Sequence, residues 1–148
     1  MKAAKNNKTT KSMKAVKNTK VIHTSGKRKT AIARATLKPG KGIIKINGHL
    51  LENYTPKMYR MKLMEPFLLA EDIVNKVNIS VNVIGGGING QTEAARLAIG
   101  RALAQFDKEL EKTFLNYDRQ LLVADIRRKE VYKPNDSKAR AKRQKSYR

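Results

Sequence analysis

The sequence is poor in several residue types. It has no cysteine, and only 12 of its 148 residues are Asp or Glu, against 33 that are Lys or Arg. Without cysteine there is no disulfide framework and no thiolate metal site. No apolar run approaches the roughly 18 residues of a membrane span, and no apolar stretch follows the first lysines as in a secretory signal. A mitochondrial transit peptide would also lack acids, but it would be rich in arginine, which the first 20 residues are not. We therefore expect no membrane partner.

The residue patterns that mark catalysis are also missing. His23 and His49 are the only histidines, and no acidic residues are spaced around them as metal ligands. No serine has an activating neighbourhood that is visible in the sequence. We therefore expect no catalytic residue, no metal, no cofactor and no small-molecule substrate.

The excess positive charge is concentrated at the two ends. Residues 1–20 carry seven lysines and no acid, and residues 127–148 carry ten basic and two acidic residues. The middle, residues 21–126, is closer to balance and is long enough for one hydrophobic core. The pattern predicts a Lys-rich arm over 1–20, a globular domain over 21–126 and a basic tail over 127–148. Nucleic acid is the anionic partner with enough phosphates to match such ends.

The arm has a lysine at every third position. A three-residue period matches an extended polyproline II strand, which would place all the lysines on one edge, along an RNA backbone. The alternative is a solvated low-complexity tail. Both interpretations stay open from the sequence.

Strands are predicted by alternation of apolar and polar residues. Residues 30–37 alternate, 38–42 contain the Pro and Gly residues of a turn, and 43–46 follow. This order predicts a hairpin. Residues 77–83 alternate without a break and give the clearest strand.

Helical spacing is found in two regions. Apolar residues over 57–75 follow it, and Pro66 is expected to split them into two helices. The methionines in this region are interpreted as core packing rather than as a ligand site. An Ala-rich stripe follows Asn89, the predicted N-cap, and implies close packing on a sheet. Gly100 within it is expected to mark a tight contact, and 108–115 predict one more short helix.

A glycine motif lies between the last strand and the Ala-rich helix. Gly85, Gly87 and Gly90 fit the dinucleotide-binding pattern, and Asp107 falls where its acidic residue is expected. That acid should end a second strand, however, whereas Asp107 ends the helix. We therefore predict a tight strand-to-helix connection, with a nucleotide-dependent enzyme as the third-ranked alternative.

Basic residues outside the N-terminal arm form two groups of predicted RNA contacts. In the globular domain these are Lys27, Arg28 and Lys29 at the mouth of the first hairpin, Arg34 on the following strand, and Lys38 and Lys41 at the turn. In the tail they are Arg127, Arg128, Lys129, Lys138, Arg140, Lys142 and Arg143. Such contacts favour a large folded RNA that is recognised by shape.

Three separated stretches resemble the S9 family of small-subunit ribosomal proteins. They are residues 26–48 with their Gly-Lys-Arg-Lys-Thr start, the glycine motif of 85–91, and the Lys-Ser-Tyr-Arg ending of 145–148, which resembles the archaeal and eukaryotic type. Asn89 departs from the Ser or Thr that is usual in bacterial relatives.

The resemblance implies an α+β fold, with a mixed four-stranded sheet and helices on one side, like the second domain of ribosomal protein S5. It implies a structural protein of cytoplasmic ribosomes that binds small-subunit rRNA in the head, beside neighbouring head proteins. It also implies that the tail reaches the peptidyl site, where Arg148, helped by Tyr147 and Lys145, contacts the bound tRNA. A free-standing nucleic-acid chaperone is the second-ranked alternative.

Overall fold

The structure is a computed structural model that describes residues 21–136 and 138–141. Five strands form one sheet: β1 (Ile22–Arg28), β2 (Ala31–Pro39), β3 (Ile44–Ile46), β4 (His49–Leu50) and β5 (Val77–Ile84). The helices are α1 (Lys57–Leu69), the short α2 (Glu71–Val74), α3 (Ile88–Phe106) and α4 (Glu109–Tyr117).

The sheet is mixed, in the order β1-β2-β5-β3-β4. Only the β3–β5 pair is parallel, and the other neighbours are antiparallel. The predicted α+β fold is confirmed. The sheet has five strands rather than four, because the two residues of β4 pair with β3.

The alternation in the strands determines which face of the sheet is covered. The residues of β2 and β5 on the inner face are all buried: Ala31, Ala33, Ala35, Leu37, Val77, Ile79, Val81 and Val83. Their neighbours in sequence are exposed or half-buried. Since successive side chains in a strand point to opposite faces, the helices cover one face and leave the other open.

Helix α3 lies against the sheet at short range because small residues line the contact. Ala94, Ala98 and Ala102 are fully buried. A Cβ added to Gly26 of β1 would lie 2.1 Å from the Ala94 carbonyl oxygen, so only glycine fits there. At Gly100 an added Cβ would lie 2.5 Å from the Leu121 carbonyl oxygen. The close approach to the sheet and the tight contact at Gly100 are both confirmed.

The predicted hairpin between 30–37 and 43–46 is wrong, because β5 lies between these two strands. Instead, β2 pairs with β1, a strand that the sequence did not reveal, and β3 pairs in parallel with β5. The connection is held over β5 by the Asn78 side chain, whose Oδ1 accepts hydrogen bonds from the backbone N–H groups of Lys41 (2.8 Å) and Ile43 (3.0 Å). The turn therefore carries the chain across a strand instead of back along it.

Two predicted helix boundaries are also wrong. Helix α1 continues through Pro66 and ends before Ala70. The proline removes one backbone donor in the last turn, and its ring is buried in the core. Helix α3 begins at Ile88 after Gly87, so Asn89 lies in its first turn and is not the N-cap.

The interpretation of the methionines as core residues is wrong. Met58, Met61, Met64 and Leu68 of α1 are 62%, 58%, 40% and 65% exposed. Leu63, Pro66 and Phe67 are the buried residues of this helix. The apolar spacing correctly indicated a helix, but it could not show which of its apolar residues face the core.

Candidate nucleic-acid interface

The open face of the sheet is polar and positively charged. We call it the basic sheet face. Its outward-facing residues are His23, Ser25 and Lys27 of β1, Ile32, Arg34, Thr36 and Lys38 of β2, Lys45 of β3, and Asn78, Ser80, Asn82 and Ile84 of β5. Four of these residues are cations and none is an acid. Such a surface attracts a polyanion and contains no carboxylate that would repel phosphate.

The strand register places these side chains in rows across the sheet. One row runs from Ser25 through Arg34 to Asn82. Another runs from His23 through Thr36 and Ser80 to Lys45. Neighbouring strands lie about 4.8 Å apart, so Arg34, Lys38 and Lys45 each have a hydroxyl or amide group beside them, whereas Lys27 lies beside Ile32.

A shallow depression lies within the basic sheet face. It has a volume of about 450 Å³, and Lys38, Lys45, Thr36, Asn78 and Ser80 are among the residues that line it. Lysines beside hydroxyl and amide groups suit phosphate and sugar oxygens. No Phe, Tyr or Trp side chain is among these outward-facing residues, so this face is suited to the backbone of a folded RNA more than to base stacking.

The predicted contacts at the β1–β2 turn separate into two kinds. Lys27 and Lys29 are exposed, and Lys29 adopts a positive φ of 52° in the two-residue turn. Arg28 points to the covered side of the sheet, where its side chain is only 17% exposed. Its Nε donates to Glu93 at 2.6 Å and its Nη1 donates to Asp125. Two carboxylates therefore bind its guanidinium within the protein, which gives Arg28 a structural role, and its RNA contact stays a prediction.

The remaining predicted cations of the globular domain lie at the surface. Arg34 and Lys38 belong to the basic sheet face, and Lys41 is exposed in the connection that crosses β5. The sequence reasoning missed Lys45 as a site residue. The Ile-Lys-Ile pattern of β3 contained the signal, because a lysine between two inward-facing apolar residues must face outward.

The segment that follows α4 is fastened to the globular domain by arginines of α3. Arg96 Nη1 donates to Asp118 at 2.8 Å. Arg101 Nε donates to the Leu122 carbonyl oxygen at 2.9 Å, and its Nη1 donates to the Ser25 carbonyl oxygen at 2.8 Å. These bonds fix the path of the chain towards its basic tail.

The last fastening point is Asp125. Its carboxylate accepts hydrogen bonds from Arg28 and from the Arg127 side chain, and the Arg127 backbone N–H donates to it at 2.7 Å. The hydrogen bond from the Arg127 side chain, followed in importance by the one from its backbone N–H, holds the pKa of Asp125 well below its usual range. The same hydrogen bond raises the pKa of Arg127. Asp125 is therefore ionised at neutral pH, and it joins the tail to β1 beside Lys27.

Beyond Asp125 the tail cations in the described part of the chain are at the surface. Arg127, Arg128, Lys129, Lys138 and Arg140 are all exposed. Lys129 Nζ lies 4.4 Å from the centre of the Tyr132 ring.

Besides Arg127, one further tail cation in the described part of the chain has a carboxylate partner. Arg140 Nη2 donates to Glu130 at 2.6 Å, which lowers the pKa of Glu130 and raises that of Arg140. Exposed pairs of this kind contribute little to stability, so Arg140 is able to exchange its partner for a phosphate. The other predicted tail contacts, Lys142, Arg143, Lys145, Tyr147 and Arg148, lie outside the described residues, as does the arm over 1–20.

The glycine motif is explained by packing. Gly85 and Gly86 have positive φ values of 73° and 69°. An added Cβ would lie 2.7 Å from the Thr30 carbonyl oxygen at Gly85 and 2.9 Å from the Ala31 Cβ at Gly86. The loop therefore packs against the β1–β2 turn. Over residues 107–136, α3 is followed by α4 and no further strand, which a dinucleotide-binding unit would require.

Within the ranges that the structure describes, no three His, Asp or Glu side chains lie close enough to hold a metal ion. No helix in those ranges is sufficiently long and apolar to span a membrane.

Comparison with known proteins identifies the family. The family model described as "Ribosomal protein S9/S16" matches residues 26–148. The "Small ribosomal subunit protein uS9" of Methanococcus maripaludis strain C7 is 53% identical over 133 residues, which cover 87% of this chain and 99% of that protein. The protein of the same name from Methanococcus vannielii is also 53% identical, with the same coverage.

Proposed function

The chain belongs to the ribosomal protein S9/S16 family, in its archaeal form, and we propose that its basic sheet face and its tail bind RNA at two separate places in the ribosome. It is a structural protein of the small ribosomal subunit. In the proposal, the sheet face lies on rRNA of the subunit head in cytoplasmic ribosomes. The tail continues to the peptidyl site.

The observation that carries the first part is the charge of the open sheet face. Lys27, Arg34, Lys38 and Lys45 project from three strands, and their outward-facing neighbours are hydroxyl, amide, imidazole or aliphatic groups. Each cation that neutralises a phosphate contributes about −0.7 to −0.9 to the log–log salt slope. Four contacts on a rigid sheet give affinity and orientation without base-specific readout.

The segment of residues 122–127, which we call the tail root, supports the proposed path of the tail. Asp125 is held by Arg28 and Arg127, and Leu122 is held by Arg101, so the tail leaves the globular domain from a fixed point beside β1. Beyond that point, the tail cations bind rRNA phosphates on its way to the peptidyl site. There Arg148, with Lys145 and Tyr147, contacts the tRNA. An arginine offers five N–H donors for this contact.

The sheet-face part is tested by charge removal with a matched control. The triple variant Arg34→Ala, Lys38→Ala and Lys45→Ala removes three cations of the basic sheet face. The control variant Lys76→Ala, Lys108→Ala and Lys112→Ala removes three exposed cations elsewhere. We expect the sheet-face variant to reduce the salt slope of rRNA binding by about 2 to 3, and the control to reduce it by less than half as much. Equal reductions would contradict the proposal.

The tail part is tested by deleting Lys145–Arg148. We expect subunits with the truncated chain to assemble normally and to hold tRNA less tightly in the peptidyl site. Unchanged tRNA affinity in such subunits would refute the tail contact, and it would leave the sheet-face contact untouched.

A further inference from the structure

Helix α1 carries an apolar surface that nothing in the described part of the chain covers. Met61, Met64 and Leu68 lie at positions i, i+3 and i+7, the spacing with which a helix buries one face. All three are exposed, and so is Met58 beside them. We call Met61, Met64 and Leu68 the methionine stripe.

The methionine stripe borders an apolar groove between α1 and the β3–β4 edge of the sheet. The groove has a volume of about 480 Å³, and Ile43, Ile44, Leu50, Leu51 and Met64 provide its apolar lining. Ile43 and Leu50 are 44% and 42% exposed, so the groove is open to solvent. Stripe and groove together form one continuous apolar surface, larger than scattered exposed side chains would give.

The rim of this surface is positive at its Lys57–Arg60 end, whereas the exposed Glu71 follows Leu68 at the other end. Lys57 is one helical turn before Met61 and is exposed. Arg60 lines the groove, where its Nη1 donates to the Glu52 carbonyl oxygen at 2.5 Å. Glu52 is the one carboxylate among the lining residues. The nearby Glu65 is paired with Arg96 and is therefore not available to balance the rim.

The apolar character of this surface argues against RNA as its occupant, and the charge of the chain argues against a second copy and against the chain's own basic ends. RNA would leave the apolar side chains against phosphates and sugars, with no aromatic ring in the stripe or the groove lining on which a base could stack. A second copy would bring two chains of net charge +21 together, with Lys57 and Arg60 near their counterparts. The arm over 1–20 has lysine at every third position, and the tail is similarly basic, so neither complements a positive rim.

We propose that the methionine stripe and its groove bind an amphipathic helix of another small-subunit protein, with acidic residues flanking its apolar face. Apolar side chains of that helix pack between Met61, Met64 and Leu50. Its carboxylates lie near Lys57 and Arg60, where they meet an electrostatic match. Methionine suits such a site, because its flexible thioether adapts to the shape of a partner. The inference rests on the proposed function only in placing the partner within the subunit.

Site-specific photocrosslinking in purified small subunits tests this assignment. A benzophenone amino acid replaces Met61, and in the control it replaces Leu115, an exposed apolar residue of α4. We expect position 61 to crosslink to one protein of the subunit, through a peptide with helically spaced apolar residues flanked by Asp or Glu. A crosslink from position 61 to rRNA or to a second copy of this chain would overturn the proposal, and so would the absence of any crosslink.

A charge variant adds a second readout. Lys57→Glu should lower the crosslink yield from position 61 by about tenfold, the effect of losing one strong interface residue. Lys112→Glu on α4 should leave that yield unchanged. If both variants give the original yield, the acidic partner is contradicted. The salt slope of rRNA binding should be the same in both variants, so this result stays separate from the test of the basic sheet face.

Discussion

Arg28 is the residue whose role depends most on the fold. Between two exposed lysines it has the same sequence context as they do, yet strand alternation turns it to the covered side of the sheet. There it joins Glu93 of α3 to Asp125 of the tail root. Three consecutive cations therefore divide into two that are exposed at the surface and one that is paired within the protein.

Removing Arg28 should destabilise the protein, because two carboxylates, those of Glu93 and Asp125, each lose a guanidinium partner. We expect Arg28→Ala to lower the free energy of unfolding by about 2 kcal/mol, measured by urea denaturation. The control variant Lys27→Ala with Lys29→Ala should change stability by less than about 0.5 kcal/mol and should weaken rRNA binding instead. Wild-type stability for Arg28→Ala would contradict the structural role.

Asp125 should hold the tail root in a pH-dependent manner. Its pKa is lower in the folded protein than in the unfolded chain, so its contribution is complete above the unfolded pKa of about 4. The contribution is lost as the pH falls below that value towards the folded pKa. Hydrogen exchange should show protected amides over residues 122–127 from pH 7 down to about pH 4. At pH 7, Asp125→Asn should raise their exchange rates, and identical rates in both proteins would exclude this anchor.

At the scale of elements, α3 is the centre of the architecture. It packs on β1 and β2 through its alanines, and its arginines bind the chain that leaves α4. Gly100 allows Leu121 to approach its backbone directly, and Leu121 is fully buried there. The helix therefore positions both the sheet face and the origin of the tail.

Two glycines of α3 provide a matched test of this packing. Alanine normally stabilises a helix relative to glycine by about 1 kcal/mol. Gly100→Ala should do the opposite and lower the free energy of unfolding by about 1 to 3 kcal/mol, because its Cβ would meet the Leu121 carbonyl oxygen at 2.5 Å. At Gly90 the nearest atoms are 3.6 Å away, so Gly90→Ala should be neutral or stabilising. Thermal unfolding of both variants gives the comparison, and equal effects would contradict it.

Local patterns in the sequence predicted where the strands lie better than which strands pair with one another. The alternation over 77–83 indicated β5 correctly because it records a sheet with one covered face. The false hairpin between 30–37 and 43–46 arose because pairing depends on a strand more than 30 residues away in the chain. Asn78 then stabilises the crossing through side-chain hydrogen bonds that no periodicity reveals.

The candidate site was partly predictable, because local patterns in the sequence also indicate exposed positions. Arg34 was predicted as an RNA contact from its position on the strand and Lys38 from its position at the turn, and both are exposed on β2, where they alternate with buried residues. The inward turn of Arg28 was not predictable, since it requires the position of Glu93, 65 residues further along the chain. The exposure of Met61 was missed because helical spacing alone does not distinguish a core face from a docking face.

At the scale of the whole molecule, the two sides of the sheet have different chemistry. The open side is basic and free of carboxylates among its outward-facing residues. The covered side carries the helices and, on α1, an exposed apolar stripe. A net charge of +21 keeps such chains apart from one another and directs them to polyanions. The fold thus separates a basic surface, which we propose binds RNA, from an apolar surface, which we propose binds protein.

Lysine reactivity in assembled small subunits tests the central claim most directly, namely that the basic sheet face lies on rRNA. An amine-reactive reagent is applied to intact subunits and to the isolated chain, and each lysine is quantified by mass spectrometry. We predict strong protection of Lys27, Lys38 and Lys45 in the subunit, with Lys108 and Lys112 of the α4 region remaining reactive. Protection should be lost after ribonuclease treatment. Equal reactivity of the two groups in intact subunits, or protection that survives removal of the RNA, would contradict the account.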